Sequence, residues 1–409
     1  MLALLASLMV MNLAERTNFS VAAPLIMKDL RLTNTDFGIV LSTFQWVYGL
    51  LTLGAGLAVD RYGPRLIMGW SALLWSLSAA ATSFVSGLAA LLGTRSLLGA
   101  AESPVFPSMV RVVSRWFPNA ERGLATSICF TVFQLSTAVI VPIATVLMLA
   151  VGWRRMILVM GLVSLIPTAL WYFFYRDPLH DRRLGEQERR YILENQVEAA
   201  PAPQISVSQW LNLFRHRLSW KLLVGGFSRQ YVEGFNLWLP LYLAQAWALS
   251  IQEIGWVAAL PPVGAAVGLL LGGRVSDILV RRGAEPLAAR RRMVVVGALI
   301  SACISTGLML TGSYEVAIAL LVVGAVAHGL GHASWWMMPS AATSSDRFTG
   351  SLASIQNFGG LIGMVIGPLI LGLMLDRIGG YAPIFGLMAF LSVLAALIYA
   401  FGFRAKADL

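Results

Sequence analysis

Apolar residues run through this 409-residue chain in long stretches that are hydrophobic on every side. They show neither the two-residue alternation of a half-buried strand nor the narrow stripe of a surface helix. Twelve stretches approach or exceed the ~20 residues that a helix needs to cross the hydrocarbon of a bilayer. Their limits are about 2–27, 35–58, 66–86, 87–113, 122–150 and 153–175, then about 218–247, 252–280, 293–313, 315–341, 349–375 and 380–403. The pattern predicts an all-α membrane protein with twelve transmembrane helices in two six-helix, pseudo-symmetric halves. Glu15, Arg16 and Asn18 interrupt the first stretch, and it has neither a basic leader nor an A-x-A-like site. It is therefore expected to remain as a helix rather than be removed as a signal peptide. The segments outside the helices are short, so no separate soluble domain is expected to carry an activity.

One polar interval, 176–217, separates the two groups and defines three parts: a first half over 1–175, a cytoplasmic linker over 176–217 and a second half over 218–409. The linker holds Arg176-Asp177-Pro178, Asp181-Arg182-Arg183, a charged run that predicts a short amphipathic helix over Glu186–Glu194, and Pro201-Ala202-Pro203. The halves echo each other. After the second stretch stands G-x-x-x-D-R-x-G-x-R, with Gly56, Asp60, Arg61, Gly63 and Arg65; its counterpart is G-x-x-x-D at 273–277 followed by Arg281-Arg282-Gly283. Asn119-Ala120-Glu121-Arg122-Gly123 is matched in the same way by Ser345-Asp346-Arg347. Repeated halves of this kind place a binding site near the bilayer midplane. The short charged turn at 56–65 reads as a gate, whose ion pairs break and re-form as helices move, rather than as a site of chemistry.

Composition agrees: 57% of residues are hydrophobic and 12% charged, and the mean hydropathy is +0.73. Soluble domains carry about twice that share of charge. The net charge of +10 would suggest nucleic acid if it were gathered on a soluble face. It is distributed otherwise. With the first helix running outward, only Lys28, Arg31, Arg154, Arg155 and Arg377 fall on the outer side, and only Arg16, Arg95 and Arg229 within helices. The rest sit in inner loops, so the positive-inside rule sets both termini and the linker in the cytoplasm. The expected location is a bacterial inner membrane, with the lipid bilayer and not nucleic acid as the surrounding partner. Cys129 and Cys303 lie in apolar runs without metal-ligand spacing and are expected to be small core residues.

Charges inside the helices carry the chemistry, because each must pair or face water. They are Glu15, Arg16, Arg95, Glu102, Arg229 and Glu233. Arg95 and Glu102 are seven apart, nearly two turns, so they share a face with α-carbons about 10 Å apart along the axis and can flank a ligand. Arg229 and Glu233 have the i,i+4 spacing at which a bridge closes easily. The planar fork of an Arg matches a carboxylate, so several Arg directed at one cavity imply an anionic substrate, and a buried Glu is suited to carry a proton. His328 and His332, one turn apart beside Ser334 and Trp335-Trp336, can contact substrate, relay protons or pack. No third ligand is in view, so no metal is expected. Tyr48, Gln45, Gln134, Asn236, Ser334, Gln356 and Asn357 are polar lining candidates, each of which can equally serve helix packing.

The loop of Gly56, Asp60, Arg61, Gly63 and Arg65 resembles the signature loop of the major facilitator superfamily, and the likeness, with two groups of six helices, covers the chain. Within it, Asn12-Leu13-Ala14-Glu15-Arg16-Thr17-Asn18, Arg95-Ser96-Leu97-Leu98-Gly99-Ala100-Ala101-Glu102-Ser103-Pro104 and Arg115-Trp116-Phe117-Pro118-Asn119 resemble the anion:cation symporter family of sugar-acid transporters and of vesicular glutamate and sialic acid carriers. That family usually has Asp-Arg where this chain has Glu15-Arg16. The resemblance implies the major facilitator fold and roles in anion binding and proton coupling for Arg16, Arg95 and Glu102. It also implies a second proton site at Glu15, substrate contacts from Tyr48 and Asn357, and a loose counterpart for Arg229 in the vesicular glutamate branch.

The resulting expectation is a secondary transporter, not an enzyme, that brings a small organic anion such as a sugar acid into the cell with protons by alternating access. It needs no cofactor beyond the coupling proton and is expected to work as a monomer. Protonation of Glu102, with Glu15 as a second site, frees Arg95 or Arg16 to hold the substrate carboxylate; Glu233, His328, His332 and Gln134 are accessory candidates. The alternatives are exchange or efflux of an amphipathic compound, which the many aromatics favour, and a transporter-like receptor. No Ser-His-Asp constellation, H-E-x-x-H or P-loop is present to support an enzyme or an ATP-driven pump. The stretch around Pro142 also lacks the Gly-Pro signature of drug antiporters.

Overall fold

The computed structural model describes residues 1–194, 207–343 and 348–403. Pro201-Ala202-Pro203 of the linker, Ser345-Asp346-Arg347 and the basic residues Arg404 and Lys406 lie outside the described residues. No β-strand occurs among the described residues, and every predicted apolar stretch is helical. Of the described residues, one compact unit holds Met1–Leu32 and 43–194, the other Thr33–Ser42 and the chain from 207 onward, so the linker is divided between them.

The first unit holds α1 (Leu2–Leu30), α2 (Asn34–Tyr62, beyond Ser42), α3 (Pro64–Thr82), α4 (Leu88–Glu102), α5 (Val105–Trp116), α6 (Asn119–Val163) and α7 (Leu165–Phe174). In the linker, α8 (Glu186–Glu194) coincides with the predicted amphipathic segment, and α9 spans Val207–Asn212. The second unit adds α10 (Arg217–Glu233), α11 (Leu239–Trp247), α12 (Ile251–Val257), α13 (Leu260–Arg281), α14 (Pro286–Leu310), α15 (Tyr314–Trp336), α16 (Met338–Ala342), α17 (Thr349–Arg377) and α18 (Ala382–Gly402). Seven helical spans among the described residues are long and apolar enough to cross a membrane by length and composition. Others are broken. Pro104 has no N–H to continue the ladder, so α4 stops before it and α5 restarts after it. A 3₁₀ turn at Gly234–Leu237 separates α10 from α11. Gly152, at φ +82°, divides α6 where the sequence ends one stretch and begins the next.

The helices meet through glycines. An added Cβ on Gly99 of α4 would stand 2.6 Å from the Phe44 carbonyl oxygen of α2. In the second unit, Gly226, Gly359 and Gly363 bring α10 and α17 into similar backbone contact, and Gly268, Gly272 and Gly329 do so for α13 and α15. Between lipid-facing helices hydrocarbon offers no hydrophobic drive, so close packing of small residues supplies the association. Large side chains such as Leu53, Leu57, Phe84 and Leu310 are exposed, as a surface meant for acyl chains requires. The same inversion places Cys303 at the exposed surface, contrary to the expectation of a core residue, whereas Cys129 is buried. An apolar neighbourhood in a membrane helix does not distinguish core from lipid face.

The first turns of α2 belong to the second unit for a physical reason. Asp376 of α17 accepts hydrogen bonds from the Asn34 side chain at 2.9 Å, the Thr35 amide at 2.7 Å and the Thr35 hydroxyl at 2.6 Å. The carboxylate thus covers the positive end of a helix whose first N–H groups have no partner within it. Gly372 and Gly38 let the backbones touch there, and the Ser42 hydroxyl donates to the Val365 carbonyl at 2.6 Å.

Candidate functional site

In the first unit α1 and α4 run past each other so that Glu102 meets Arg16 and Arg95 meets Phe19. Glu102 is fully buried. Its Oε2 accepts from Arg16 Nε at 2.6 Å, and Arg16 Nη2 stands 2.6 Å from the same oxygen. The Arg16 side chain retains 18% exposure, and its guanidinium carbon lies 4.8 Å from the ring centres of both Phe44 and Tyr48. Those rings are stacked on each other, one turn apart on α2. The pair is therefore a charged bond laid against an aromatic wall, and Gly99 makes it possible by seating α4 directly on α2 at Phe44.

Glu15 and Arg16 are neighbours in sequence but about 100° apart around a helix, so they address different partners. Glu15 is buried, and its Oε1 accepts from the Ser164 hydroxyl at 2.6 Å, at the junction of α6 and α7. Arg95 is buried too. Its guanidinium carbon sits 3.8 Å from the Phe19 ring centre, and Nη2 reaches the Thr82 hydroxyl at 3.4 Å. As expected, Arg95 and Glu102 share a helix face, the one turned to α1, but the ion pair joins Glu102 to Arg16. Gln134 is half-buried on α6.

The second unit holds its own cluster. Arg229 Nη2 donates to the His328 carbonyl oxygen at 2.7 Å and lies 3.4 Å from His332 Nδ1. Its guanidinium carbon is 5.8 Å from the Trp335 ring centre. The i,i+4 bridge from Arg229 to Glu233 is not formed among the described residues. Instead Glu233 Oε2 lies 3.2 Å from His328 Nε2 on α15, and spacing along α10 alone could not reveal a partner on another helix. Trp336 Nε1 donates to His332 Nε2 at 3.0 Å. Ser334 is buried beside this cluster, and Gln356, also buried, donates to the Trp335 carbonyl at 3.0 Å, whereas its neighbour Asn357 is exposed.

Glu233, His328 and His332 have potential ligand atoms within 4.8 Å of one another, a third member the sequence did not disclose. Arg229 fixes a positive charge against His332, and the indole of Trp336 occupies that ring's other nitrogen, so the group is ill suited to a divalent cation. A small cavity of about 20 Å³ adjoins the cluster, lined by Ser228, Arg229, Ser301, His328, Ser392 and Tyr399. A larger one of about 410 Å³ lies elsewhere in the unit, among Tyr242, Gln245, Trp247, Tyr381 and Phe385, with no charged side chain in its lining.

The two clusters share one construction. Glu102 is the last residue of α4 and Glu233 the last of α10, each at an interruption. A helix C-terminus carries partial negative charge, so a carboxylate there depends on a cationic or hydrogen-donating partner, Arg16 in one case and His328 in the other. Interrupted helices also mark the ion and substrate sites of many transporters. The turn at 56–65 joins α2 to α3 through Gly63, at φ +81°; Gly283, at φ +91°, ends the corresponding turn in the second half. Exposed Asp60 faces half-buried Arg111 at 3.6 Å. The Arg65 carbonyl accepts from Trp171 Nε1 at 2.9 Å, and Arg65 Nη2 donates to the Tyr172 carbonyl at 3.3 Å. Arg61 lies over Tyr62, and no atom stands within 4 Å of a Cβ added at Gly56.

Two sets of helices with echoed turns, charged and titratable side chains paired at broken helices and a lipid-facing exterior define a multi-pass membrane transporter rather than an enzyme. The chain belongs to the Major Facilitator Superfamily, whose family model matches residues 5–246 and 222–408. It is 32% identical over 396 residues to a probable L-galactonate transporter of Escherichia coli (strain K12), covering 96% of this chain and 86% of that protein. It is 30% identical over 370 residues to SauU, a probable sulfoacetate transporter of Cupriavidus necator, covering 90% and 85%. A probable galactarate/D-glucarate transporter, GarP of Escherichia coli (strain K12), is 27% identical over 407 residues, covering 95% and 91%. The fold matches a crystal structure of a bacterial homologue of the human lysosomal transporter Spinster with a TM-score of 0.80, at 18% identity and covering 98% of this chain and 96% of that one.

Proposed function

We propose that this protein is a proton-coupled symporter that brings a small organic anion, a carboxylate such as a sugar acid, into the cell by alternating access. The observation that carries the reading is the bond between Arg16 and one oxygen of Glu102. While Glu102 is ionised it occupies the guanidinium fork. A proton on Glu102 removes that charge and frees Arg16, with Tyr48 beside it, to take a substrate carboxylate in two-point geometry. Proton and anion then travel as a neutral sum, which lowers the cost of carrying either through a low-dielectric path. Glu15 serves as the second proton site of this unit. Arg95, held by Phe19 and Thr82, is an additional positive centre, and Arg229, with Ser334 and Asn357, serves substrate in the second unit.

The curated relatives support an organic acid as substrate, since their names give L-galactonate, galactarate, D-glucarate and sulfoacetate. The excess of basic residues in the predicted inner loops supports an orientation with both termini in the cytoplasm, and the bacterial relatives support a bacterial inner membrane. The protein acts as a monomer with the proton as coupling ion. Uptake of labelled L-galactonate, galactarate and sulfoacetate into proteoliposomes, acid outside, tests the proposal. At least one should accumulate uphill, collapse with a protonophore, and fail to accumulate with Glu102→Gln. Uphill, pH-driven uptake that persists in that variant removes Glu102 from the mechanism. Inhibition of uptake by the inward proton gradient points to efflux or exchange.

A further inference from the structure

We infer that Glu233 and His328 form a second proton-binding pair, built into the other unit and separate from Glu102. The inference deepens the symport reading by adding a proton site on α10 and α15. Glu233 ends α10 at an interruption, as Glu102 ends α4, yet its partner differs in kind. Arg16 is always protonated and can only exchange one anion for another. His328 can take up and release a proton, and its Nε2 stands 3.2 Å from Glu233 Oε2. With His328 neutral, its N–H donates to the carboxylate. One added proton turns the same contact into an imidazolium–carboxylate pair without moving either side chain.

The surroundings select this pair over the other histidine. Both ring nitrogens of His332 face groups that only donate: Arg229 Nη2 at 3.4 Å from Nδ1 and Trp336 Nε1 at 3.0 Å from Nε2. A proton added to His332 would find no acceptor. His328 faces an acceptor, Glu233, and its own carbonyl accepts from Arg229 Nη2 at 2.7 Å, which ties that turn of α15 to α10. The charged and titratable groups around the pair are Arg229 from α10, His332 from α15 and Tyr399 from α18, the last lining the same small cavity as Arg229 and His328. With Arg229 positive and Glu233 negative, the cluster is neutral when His328 is neutral. A bound proton therefore leaves one positive charge in excess, which an arriving anion can balance. Proton binding and anion binding in this unit then favour each other.

The test reads the proton directly. Protein labelled with ¹⁵N-histidine in lipid nanodiscs is titrated by NMR without substrate, and the four histidines are assigned by single substitution. His328 should titrate and His332 should keep one tautomer across the range. Glu233→Gln should lower the proton affinity of His328 at least about tenfold by removing the facing charge. A His328 midpoint that ignores Glu233→Gln, or a His332 that titrates, overturns the inference. A transport readout separates it from the Glu102 mechanism. In proteoliposomes with whichever of the three acids the native protein accumulates, His328→Gln should displace the pH profile of uptake and leave accumulation uphill. An unchanged profile counts against the pair, whereas uphill uptake by Glu102→Gln defeats only the proposal made above.

Discussion

Arg16 and Glu102 meet through a single carboxylate oxygen, Oε2, which both Nε and Nη2 of the guanidinium approach at 2.6 Å. Because Glu102 is fully buried and Arg16 keeps only an edge exposed, removing one partner leaves a desolvated charge behind. Glu102→Ala should cost about 3–5 kcal/mol. Glu102→Gln should cost less, since the amide oxygen still accepts from Nε, and Arg16→Met combined with Glu102→Ala should recover most of the loss. The order of thermal unfolding midpoints in detergent checks this. A double variant no more stable than Glu102→Ala would mean that the pair is not mutually compensated.

Gly99 should be as demanding as the charges it positions. An added methyl would stand 2.6 Å from the Phe44 carbonyl oxygen and 3.1 Å from the Tyr48 amide nitrogen, so α4 must move off α2. Gly99→Ala should destabilise by about 1–3 kcal/mol and weaken substrate affinity by shifting Glu102 away from Arg16. Gly93→Ala, six residues earlier on the same helix and with no atom within 4 Å of the added carbon, should be close to neutral. Equal behaviour of the two in unfolding and uptake assays would remove the packing argument.

Much of this architecture is legible in the sequence because a bilayer imposes length and polarity so directly. Each apolar stretch became helix, α8 fell where the charged run placed it, and Glu15, Arg16, Arg95, Glu102, Arg229 and Glu233 stood out because hydrocarbon does not tolerate lone charges. Partners were another matter. Spacing along one helix suggested Arg229 with Glu233, while the contact that forms, Glu233 with His328, lies between helices 95 positions apart. For Glu102 the sequence leaves two candidate partners, Arg95 and Arg16, and the bond that forms joins it to Arg16, 86 positions away. The break that sets Glu102 at a helix end interrupts the stretch read as continuous over 87–113, and Pro104 is its physical cause. The 3₁₀ turn at Gly234–Leu237 contains no proline, but Pro240 stands at the start of α11 just beyond it.

Asp376 makes a local test of how the start of α2 is held. Its carboxylate accepts from the Thr35 amide, the Thr35 hydroxyl and the Asn34 side chain, and it is exposed, so its effect on global stability should be small. Its effect on the helix end should be plain. Asp376→Ala should raise the hydrogen-exchange rate of the Thr35 amide several-fold and spread lesser increases through residues 33–42, leaving the amides of α4 unchanged. Exchange at Thr35 that matches the native protein would show that the Gly38 and Gly372 contacts alone hold this segment.

The linker offers a pH-dependent prediction outside the membrane. Asp181 binds Arg183 in three ways: its Oδ1 accepts from the Arg183 amide at 3.0 Å and from Nε at 2.9 Å, and its Oδ2 accepts from Nη2 at 2.7 Å. The hydrogen bonds from the Arg183 side chain, chiefly, hold the Asp181 carboxyl below its ordinary value of 3.8. A carboxylate whose affinity for protons falls on folding stabilises the folded state fully above its unfolded value and loses that contribution as pH drops through the folded one. At neutral pH, Asp181→Asn should therefore speed exchange of the Arg183 amide and loosen Arg183 from the Phe174 carbonyl that it also contacts. Well below pH 3.8 the native aspartate becomes protonated and the two proteins should converge. Hydrogen exchange read by mass spectrometry over that range decides the matter, and a difference that persists undiminished at the acid end would show that the turn is held by something other than the ionised carboxylate.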